Sequence, residues 1–548
     1  MKFWHVCQKF PLIYKNLSAE RFSAILRDTS KSAYYRCGFC LLVLTLLSIS
    51  AQWAVAPVPL VVTPNDFIGF IDAGFRITSG QVPHNDFSTQ FGPAFSYVYA
   101  IGVGLFGPTI SAIVSSNLLV MTITTLLAWL FSCKRLSPFL ALIFSATVMS
   151  TTSGVVPLGW GAHETDYAMS YNRHAYGILM CICVGSFFKK RSSISKVTDS
   201  FDDLLIGALV SLLLLLKLNF FVIGVCALVI SQFFVGFTLK KSTWTIAGFL
   251  VPILFFWLVL GVKPYAFFND MSSLYNVMRE TRSSLLGPIW KLVTSLKLPL
   301  CTVLFILIAS GWLCFVYQKG YSNSLVRSFV AAFFLLTADL VLGVSNTQLP
   351  ILVFLSFIAL IALRELLLVD MYRSRCLSAL IMLTFLLSIV TVVRETSYIA
   401  YAFSSELSAD PVDVKAQRFD SPLLGNVYAP ASGISIWANY PQVVNDGLRL
   451  LRRYVVPGVK LVTLNITNPF DFVLGLKPAN GTQLFWWFGA SYTDANLLRA
   501  EQVFSNADII VVNKDRYIMP FSYSEYLRKR FKIIDESQFW VLLKRDSH

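Results

Sequence analysis

Charge is what this chain has least of. Only 14% of its 548 residues are Asp, Glu, Lys or Arg, whereas 55% are hydrophobic and the mean hydropathy is +0.64. A soluble chain of this length cannot be so apolar, which places it among polytopic membrane proteins. No Walker A loop and no His-Glu-x-x-His occurs, so nucleotide hydrolysis and zinc proteolysis have no support. None of the ten cysteines lies beyond Cys376, so the polar C-terminal tail is not a disulfide scaffold. Cys37-x-x-Cys40 has the spacing of a redox or metal pair. Without a second pair or a nearby His it reads as packing at a helix start. No short apolar core followed by a small-residue cleavage site opens the chain, so the first apolar run reads as a retained anchor. Transporters show internal repeats, and none is evident here.

What is present is a series of about eleven apolar runs, each near the roughly 20 residues that a membrane-crossing helix needs. They fall near 38–61, 109–131, 137–156, 175–188, 203–217, 219–237, 243–262, 299–317, 327–344, 349–369 and 376–393. The fourth and fifth are short for full spans. The net charge of +15 follows the loops between them. Lys134-Arg135, Lys189-Lys190-Arg191, Lys240-Lys241, Lys319 with Arg327, and Arg373 with Arg375 come after every second run, and the first 36 residues carry seven more basic side chains. Basic loops stay in the cytoplasm. The N-terminus is therefore inside, and the loops 62–108, 157–174 and 263–298 and the tail are outside. The charge signals topology, and nucleic acid is not an expected partner.

The chain divides into a cytoplasmic segment 1–36, a membrane domain 37–393 and an outer tail 394–548, large enough for one small domain. In the tail, 460–465 and 508–513 read as buried strands, 441–455 as an amphipathic helix, and 531–534 with 539–543 as a closing hairpin. The order suggests a small α/β layer.

The first outer loop concentrates carboxylates beside the bilayer: Asn65-Asp66-Phe67, Asp72, then Gly80, Pro83 and Asn85-Asp86-Phe87. Such groups are costly there unless they face water, a partner charge or a substrate. Asp66 and Asp72 are six apart and do not share a helix face, whereas Asp72 and Arg76 are four apart and can pair. The plainer role for Asp66 is an N-cap, since Thr63-Pro64-Asn65-Asp66 resembles a helix start. Phe67, Phe70, Ile71 and Phe75 recur at helical spacing and 91–105 is apolar, a pattern suited to short helices lying at the interface.

Other candidates are scattered. His163, Glu164 and Asp166 are of the types that bind a divalent cation, with an ordinary polar loop as the plainer reading. Arg173 opens an apolar run, where a guanidinium could fork onto a phosphate or merely snorkel at a helix end. Lys217 lies in a leucine run and needs water or an anion such as a lipid phosphate. Asp339 sits inside the ninth run, and Ser345 to Pro350 is a turn of hydrogen-bonding side chains.

The pattern Asp66-x5-Asp72-x7-Gly80-Gln81-Val82-Pro83-His84-Asn85-Asp86-Phe87, then Gly92-Pro93 and Leu105-Phe106-Gly107, resembles the first outer loop of the GT-C membrane glycosyltransferases. These include the protein O-mannosyltransferases and the aminoarabinose transferase acting on lipid A. The family's opening Asp falls on Asp66, whose usual Glu neighbour is Phe67 here. The Tyr before its second aspartate is replaced by His84, and its Pro-Pro by Gly92-Pro93. Tyr171-Asn172-Arg173 and Lys217-x-Asn219 also look like features of bacterial members. The resemblance implies a GT-C-like fold in the plasma membrane of a bacterium. It also implies inverting transfer of a sugar from a polyprenyl-phosphate donor to a glycan, lipid or protein acceptor on the extracytoplasmic face. Asp66 would be the general base; Asp72, Arg76, His84, Asp86, Arg173 and Lys217 would contact substrate. The transfer could be metal-independent or assisted by a divalent cation. The alternatives are a polysaccharide polymerase or ligase using polyprenyl-diphosphate glycans, and a non-enzymatic transporter.

Overall fold

The computed structural model describes residues 30–54, 58–59, 64–156, 158, 167–188, 196–235, 238–281, 338, 341–342, 389–390, 392–400, 417–425, 427–429, 439–515 and 517–546. The first part is helical: α1 (Lys31–Ala54), α2 (Pro64–Thr78), α3 (Pro93–Phe106), α4 (Ile110–Ser132), α5 (Pro138–Ser153), α6 (Ser170–Phe187), α7 (Lys196–Leu216), α8 (Leu218–Val235), α9 (Leu239–Leu254) and α10 (Pro264–Thr281). Five residues of π-helix, Phe255–Val259, extend α9 just beyond its internal Pro252, where the missing N–H loosens the α-helical ladder. Among the described residues three helices are long and apolar enough to cross a membrane: α1, α4 and α9 with its π-helical extension. On α1 the exposed Tyr35, Phe39, Leu42 and Leu46 form one stripe, the spacing of a helix face turned to lipid. α6 is different. Residues 170 to 186 are all buried, so it runs through the middle of the bundle.

The first seven expected spans coincide with α1 and α4 to α9, with ends shifted by several residues. Apart from isolated positions, the last four lie outside the described residues. Gly102-Val103-Gly104-Leu105-Phe106-Gly107 has the spacing of a dinucleotide fingerprint, but it lies at the end of apolar α3 and follows no strand. It is no phosphate loop.

The bundle has two chemically distinct ends. At one, Lys134 and Arg135 converge on buried Asp202 of α7, with contacts of 2.6 and 3.1 Å. Arg135 also donates to the carbonyl of Phe188, just past the end of α6. A basic pair in a cytoplasmic loop is ordinarily expected to face water. Arg135 is instead 3% exposed, because a single carboxylate and nearby carbonyls satisfy its fork. At the other end, Met169, where α6 starts, meets Asp66 of α2, and α7 stops just before Lys217. The fifteen positions from Asp202 to Lys217 make about 22 Å of helix. The basic cluster and the acidic first loop therefore lie at opposite ends of α6 and α7.

α2 was expected to lie on the membrane interface; the structure corrects this. Pro64, Asn65, Phe67 to Gly74 and Arg76 are buried, because α2 is wedged between α3 and the C-terminal segment. Strand β1 (Val58–Pro59) pairs with β4 (Val427–Ala429), which also pairs with β3 (Gln417–Arg418); β2 (Phe87–Ser88) pairs with β6 (Thr482–Gln483). The tail carries a four-stranded sheet of order β5 (Leu461–Leu464), β7 (Ile509–Asn513), β9 (Trp540–Arg545), β8 (Phe531–Glu536). β5 and β7 are parallel and the other pairs antiparallel. The expected strands and hairpin fall on these elements. The expected helix is α11 (Tyr440–Leu451), against which buried Trp540 packs with its indole N–H on the carbonyl of Val443 at 2.7 Å. Shorter helices α12 (Phe470–Leu474), α13 (Ala500–Phe504) and α14 (Phe521–Arg530) complete the tail.

Breaking a buried ion pair strands its partner charge and costs about 3–5 kcal/mol. Asp202→Ala should therefore lower the thermal unfolding midpoint in detergent clearly, and Lys134→Ala, which leaves the Arg135 pair intact, should lower it less.

Candidate active site

The first turn of α2 buries Pro64, Asn65 and Phe67 and leaves Asp66 half-buried between them. The Asp66 carboxylate accepts the N–H of Met169 at 3.1 Å. It is a cap, but for a different helix from the one expected: Met169 is the N-cap residue of α6. Met169 has φ 56, a left-handed conformation that costs a non-glycine residue about 1–3 kcal/mol when nothing offsets it. One strained turn thus aims a backbone donor, at the positive end of a helix, toward a carboxylate. Lys217 is the nearby cation. Its ammonium donates to Asn172 Oδ1 at 2.8 Å and rests 4.7 Å from the centre of the Tyr171 ring. Burial pushes the Asp66 pKa up to about 6, against the opposing pull of the Met169 N–H and Lys217. A carboxyl in that range is largely ionised at neutral pH and still basic enough to take a proton.

Gly92 explains why the loop can approach Lys217. A Cβ on Gly92 would collide with the Leu215 carbonyl, and the Gly92 N–H donates to the carbonyl of Leu216 at 3.1 Å. One residue earlier, the Phe91 ring lies 4.5 Å from that of Tyr171. Backbone-to-backbone contact at Gly92 therefore ties the first loop to the end of α7, immediately before the lysine.

Asp72 faces elsewhere. It is fully buried and pairs with Arg76 Nε at 2.9 Å, as the four-residue spacing anticipates. Arg76 also donates to Thr482 Oγ1 at 2.9 Å, so the pair fastens α2 to β6 of the tail. Across this junction lies buried Asp471, which accepts from Asn468 Nδ2 at 2.7 Å. Burial first, and then the charge of Asp72, raise the Asp471 pKa to about 8. α2 is closed off by Gly80, two residues past its end, whose φ of 90 lets the N–H groups of Gly80 and Gln81 close on the carbonyls of Ile77 and Arg76.

The next turn holds His84 and Asp86. His84 has φ 68, and its Nδ1 lies 2.8 Å from Asp270 of α10. Asp86 accepts the N–H of Val82 at 2.7 Å, closing the turn. Both line a cleft of about 600 Å³ with Asn269, Asp270 and Gln502.

Arg173 requires the largest correction. Its guanidinium donates to the carbonyls of Thr151 and Val156 and pairs with Glu395 at 2.9 Å, both side chains being about 2% exposed. The fork expected for a lipid phosphate is spent on bracing the chain after α5. Asp66, Lys217 and Tyr171-Asn172 come together; Asp72 with Arg76, His84 with Asp86, and Arg173 form three separate clusters. Asp270, Glu395 and Asp471 escaped the sequence reading. A carboxylate at the foot of the last apolar run was the available signal for Glu395; Asp270 and Asp471 gave none. His163, Glu164, Asp166, Asp339 and the turn 345–350 lie outside the described residues. Among those described, no three His, Cys, Asp or Glu side chains gather as metal ligands would.

No family model and no curated protein matches the chain. Two solved structures are similar to it. The crystal structure of ArnT from Cupriavidus metallidurans bound to undecaprenyl phosphate covers 93% of this chain and 98% of its own, at 11% identity and a TM-score of 0.39. The same protein in the apo state covers 92% and 97%, at 13% identity and 0.38. Similarity this loose carries no weight for the chemistry, which has to stand on the residues themselves.

Asp471 gives a direct test of the junction. Its folded pKa of about 8 lies above its ordinary 3.8, so it stabilises the fold fully below pH 3.8 and progressively less as pH rises toward 8. Asp66 acts with the same sign but only up to about 6. Between pH 6 and 8 the unfolding midpoint should fall in the native protein and stay flatter in Asp471→Asn, whose amide mimics the neutral acid. Equal slopes for the two proteins would remove Asp471 from this role.

Proposed function

We propose that this protein is a GT-C-type glycosyltransferase that moves a sugar from a polyprenyl-phosphate donor to an acceptor hydroxyl on the extracytoplasmic face. The observation that carries the reading is the pairing of a half-buried Asp66, tuned to about 6, with a lysine held in place by Asn172 and Tyr171. The first-loop pattern resembles the family's at the same aspartate. The opposite placement of Lys134-Arg135 supports the sidedness, because a basic end in the cytoplasm puts Asp66 outside.

In this reaction the acceptor oxygen attacks the anomeric carbon from the face opposite the phosphate. Asp66 takes the hydroxyl proton as the new C–O bond forms. The bond from the anomeric carbon to the phosphate oxygen breaks, and both its electrons leave with the polyprenyl phosphate. Configuration at carbon is inverted. Lys217 offsets the charge that grows on that oxygen. The Met169 N–H and the Lys217 charge keep Asp66 ionised between turnovers. Asp72 and Arg76 shape the loop from below, and the tail, fastened through Thr482, holds α2 still. The carrier lipid delivers an already activated sugar, so the chemistry needs no nucleotide pocket.

Asp66→Asn should lower kcat about 10²–10⁴-fold, the usual contribution of a positioned base. In cells, the donor lipid should accumulate and one glycan or lipid species should lose a sugar mass, both read by mass spectrometry. In the native enzyme kcat/KM should be level above pH 7 and fall tenfold per unit below about pH 6. Unchanged products in the amide variant would remove the proposal. Lys217→Ala should cost roughly 10²–10³ in kcat, with Lys217→Arg recovering part of the loss, measured with purified donor lipid.

A further inference from the structure

Helix α10 is tethered at two points ten positions, or about 15 Å, apart. In its first half Asp270 holds His84 at 2.8 Å and accepts the N–H of Thr89 at 3.2 Å. Near its end Glu280 takes Thr493 Oγ1 and Asn496 Nδ2, each at 2.5 Å. Between the tethers, α10, the 88–90 segment and residues 495–502 of the tail enclose a cleft of about 350 Å³. It merges with the cleft beside His84 through the shared Ser88, Asn269, Asp270, Leu498 and Gln502.

The cleft's lining is unusual for a chain this apolar. Tyr265 of the adjoining cleft and Asn269, Ser273 and Asn276 of this one follow one another at spacings of four, four and three along α10, a single face. Gln90 and Gln502 line the facing walls. Among the described residues no hydrogen bond engages the side chains of Gln90, Asn269, Ser273, Asn276 or Gln502. The charged side chains on the 350 Å³ cleft are Asp270, already committed to His84, and Arg499.

Amides carry donors and acceptors together, and a serine hydroxyl does the same. That is the complement of an array of sugar hydroxyls, with Tyr265 offering an apolar face to a pyranose ring. An anionic lipid headgroup would call for clustered Arg or Lys, whereas the joined clefts carry Arg499 and Lys263 with Asp86 and Asp270 beside them. A strand-forming peptide would need an unpaired backbone edge, which the helix face does not provide. Gln90 lines the cleft and the next residue, Phe91, packs on the Tyr171 that carries Lys217. The cleft therefore opens along the same loop that supports the reacting groups.

We propose that this cleft is the acceptor subsite and that it binds an uncharged oligosaccharide chain. The assignment rests on the transferase reading above and names its acceptor class. It is tested by binding alone, with the full-length Asp66→Asn protein in nanodiscs to prevent turnover. The probes are linear tetrasaccharides of hexose, of N-acetylhexosamine and of deoxyhexose, a Ser/Thr-rich octapeptide, and glycerol phosphate, each followed by saturation-transfer NMR. At least one tetrasaccharide should take up saturation, and the Asn269→Ala/Asn276→Ala pair should weaken that signal at least fivefold. Both asparagines are exposed and alanine favours a helix, so the variant should keep the native unfolding midpoint. A bulkier change, Ser273→Trp, should abolish the signal by filling the cleft. Absence of any tetrasaccharide signal, a signal that survives both variants, or binding of the peptide or glycerol phosphate in its place would overturn the assignment. Failure of the transferase reading looks different: transfer would persist in Asp66→Asn, with tetrasaccharide binding unaffected.

Discussion

One hydrogen bond organises the candidate site: the Met169 N–H on the Asp66 carboxylate. It joins α2 to the start of α6, which is buried from Ser170 to Ser186. It also sets the chemistry. Were Asp66 paired face to face with a guanidinium, its oxygens would be committed to that contact and closed to an acceptor hydroxyl. Asp72, six residues on, shows that outcome: Arg76 lies at 2.9 Å and neither group is accessible. Were Asp66 buried with only a neutral amide donor and beside a second carboxylate, it would hold its proton at neutral pH, as Asp471 does. A single backbone donor and a lysine acting through space leave it between those limits. The three carboxylates differ in partner, and partner decides whether each is a brace, a neutral acid or a base.

Holding that intermediate state requires rigid surroundings. Met169 keeps a left-handed backbone only because the elements around it leave no alternative. Arg173, four positions into α6, ties the helix to the carbonyls of Thr151 and Val156 and to Glu395. Its buried ion pair is an expensive way to gain stability, but it fixes the height of the α6 N-terminus relative to α2. On the other side, α2 is clasped by the tail through Arg76 and Thr482 and through the pairing of β2 with β6. Bundle and tail thus both grip the fifteen-residue helix that presents the carboxylate.

Periodicity and charge placement made the bundle legible. Runs of twenty apolar residues, with lysine and arginine after every second one, have few physical interpretations, and seven of the runs fall on helices. In the tail, short β-branched segments between polar residues gave the strands. What could not be read was the third dimension. α2 carries Phe67, Phe70 and Ile71 at helical spacing, which suits a lipid surface as well as a protein core, and only the tail's position decides between them. Arg173 looked like a phosphate fork because its partners, two carbonyls and a carboxylate 222 residues away, have no local signature. Asp66 and Lys217 were identifiable because each defies its apolar surroundings, and the first-loop resemblance singled out the aspartate. Their mutual proximity was not readable from spacing.

That proximity has a simple mechanical origin. α7 ends at Leu216 and α8 begins at Leu218, so Lys217 stands at a break between two helices. The Tyr171 face and the Asn172 oxygen favour an ammonium there. A lysine on an unbroken helix would be free to extend toward water; at this break it is drawn back over the loop. The loop meets it because Gly92 has no side chain to keep the two backbones apart. The hydrogen of one glycine thus sets how closely the loop approaches the residue just before the lysine. A polyprenyl-phosphate sugar entering this gap would meet the lysine at its phosphate and the aspartate at the hydroxyl that attacks it, the two ends of a single displacement.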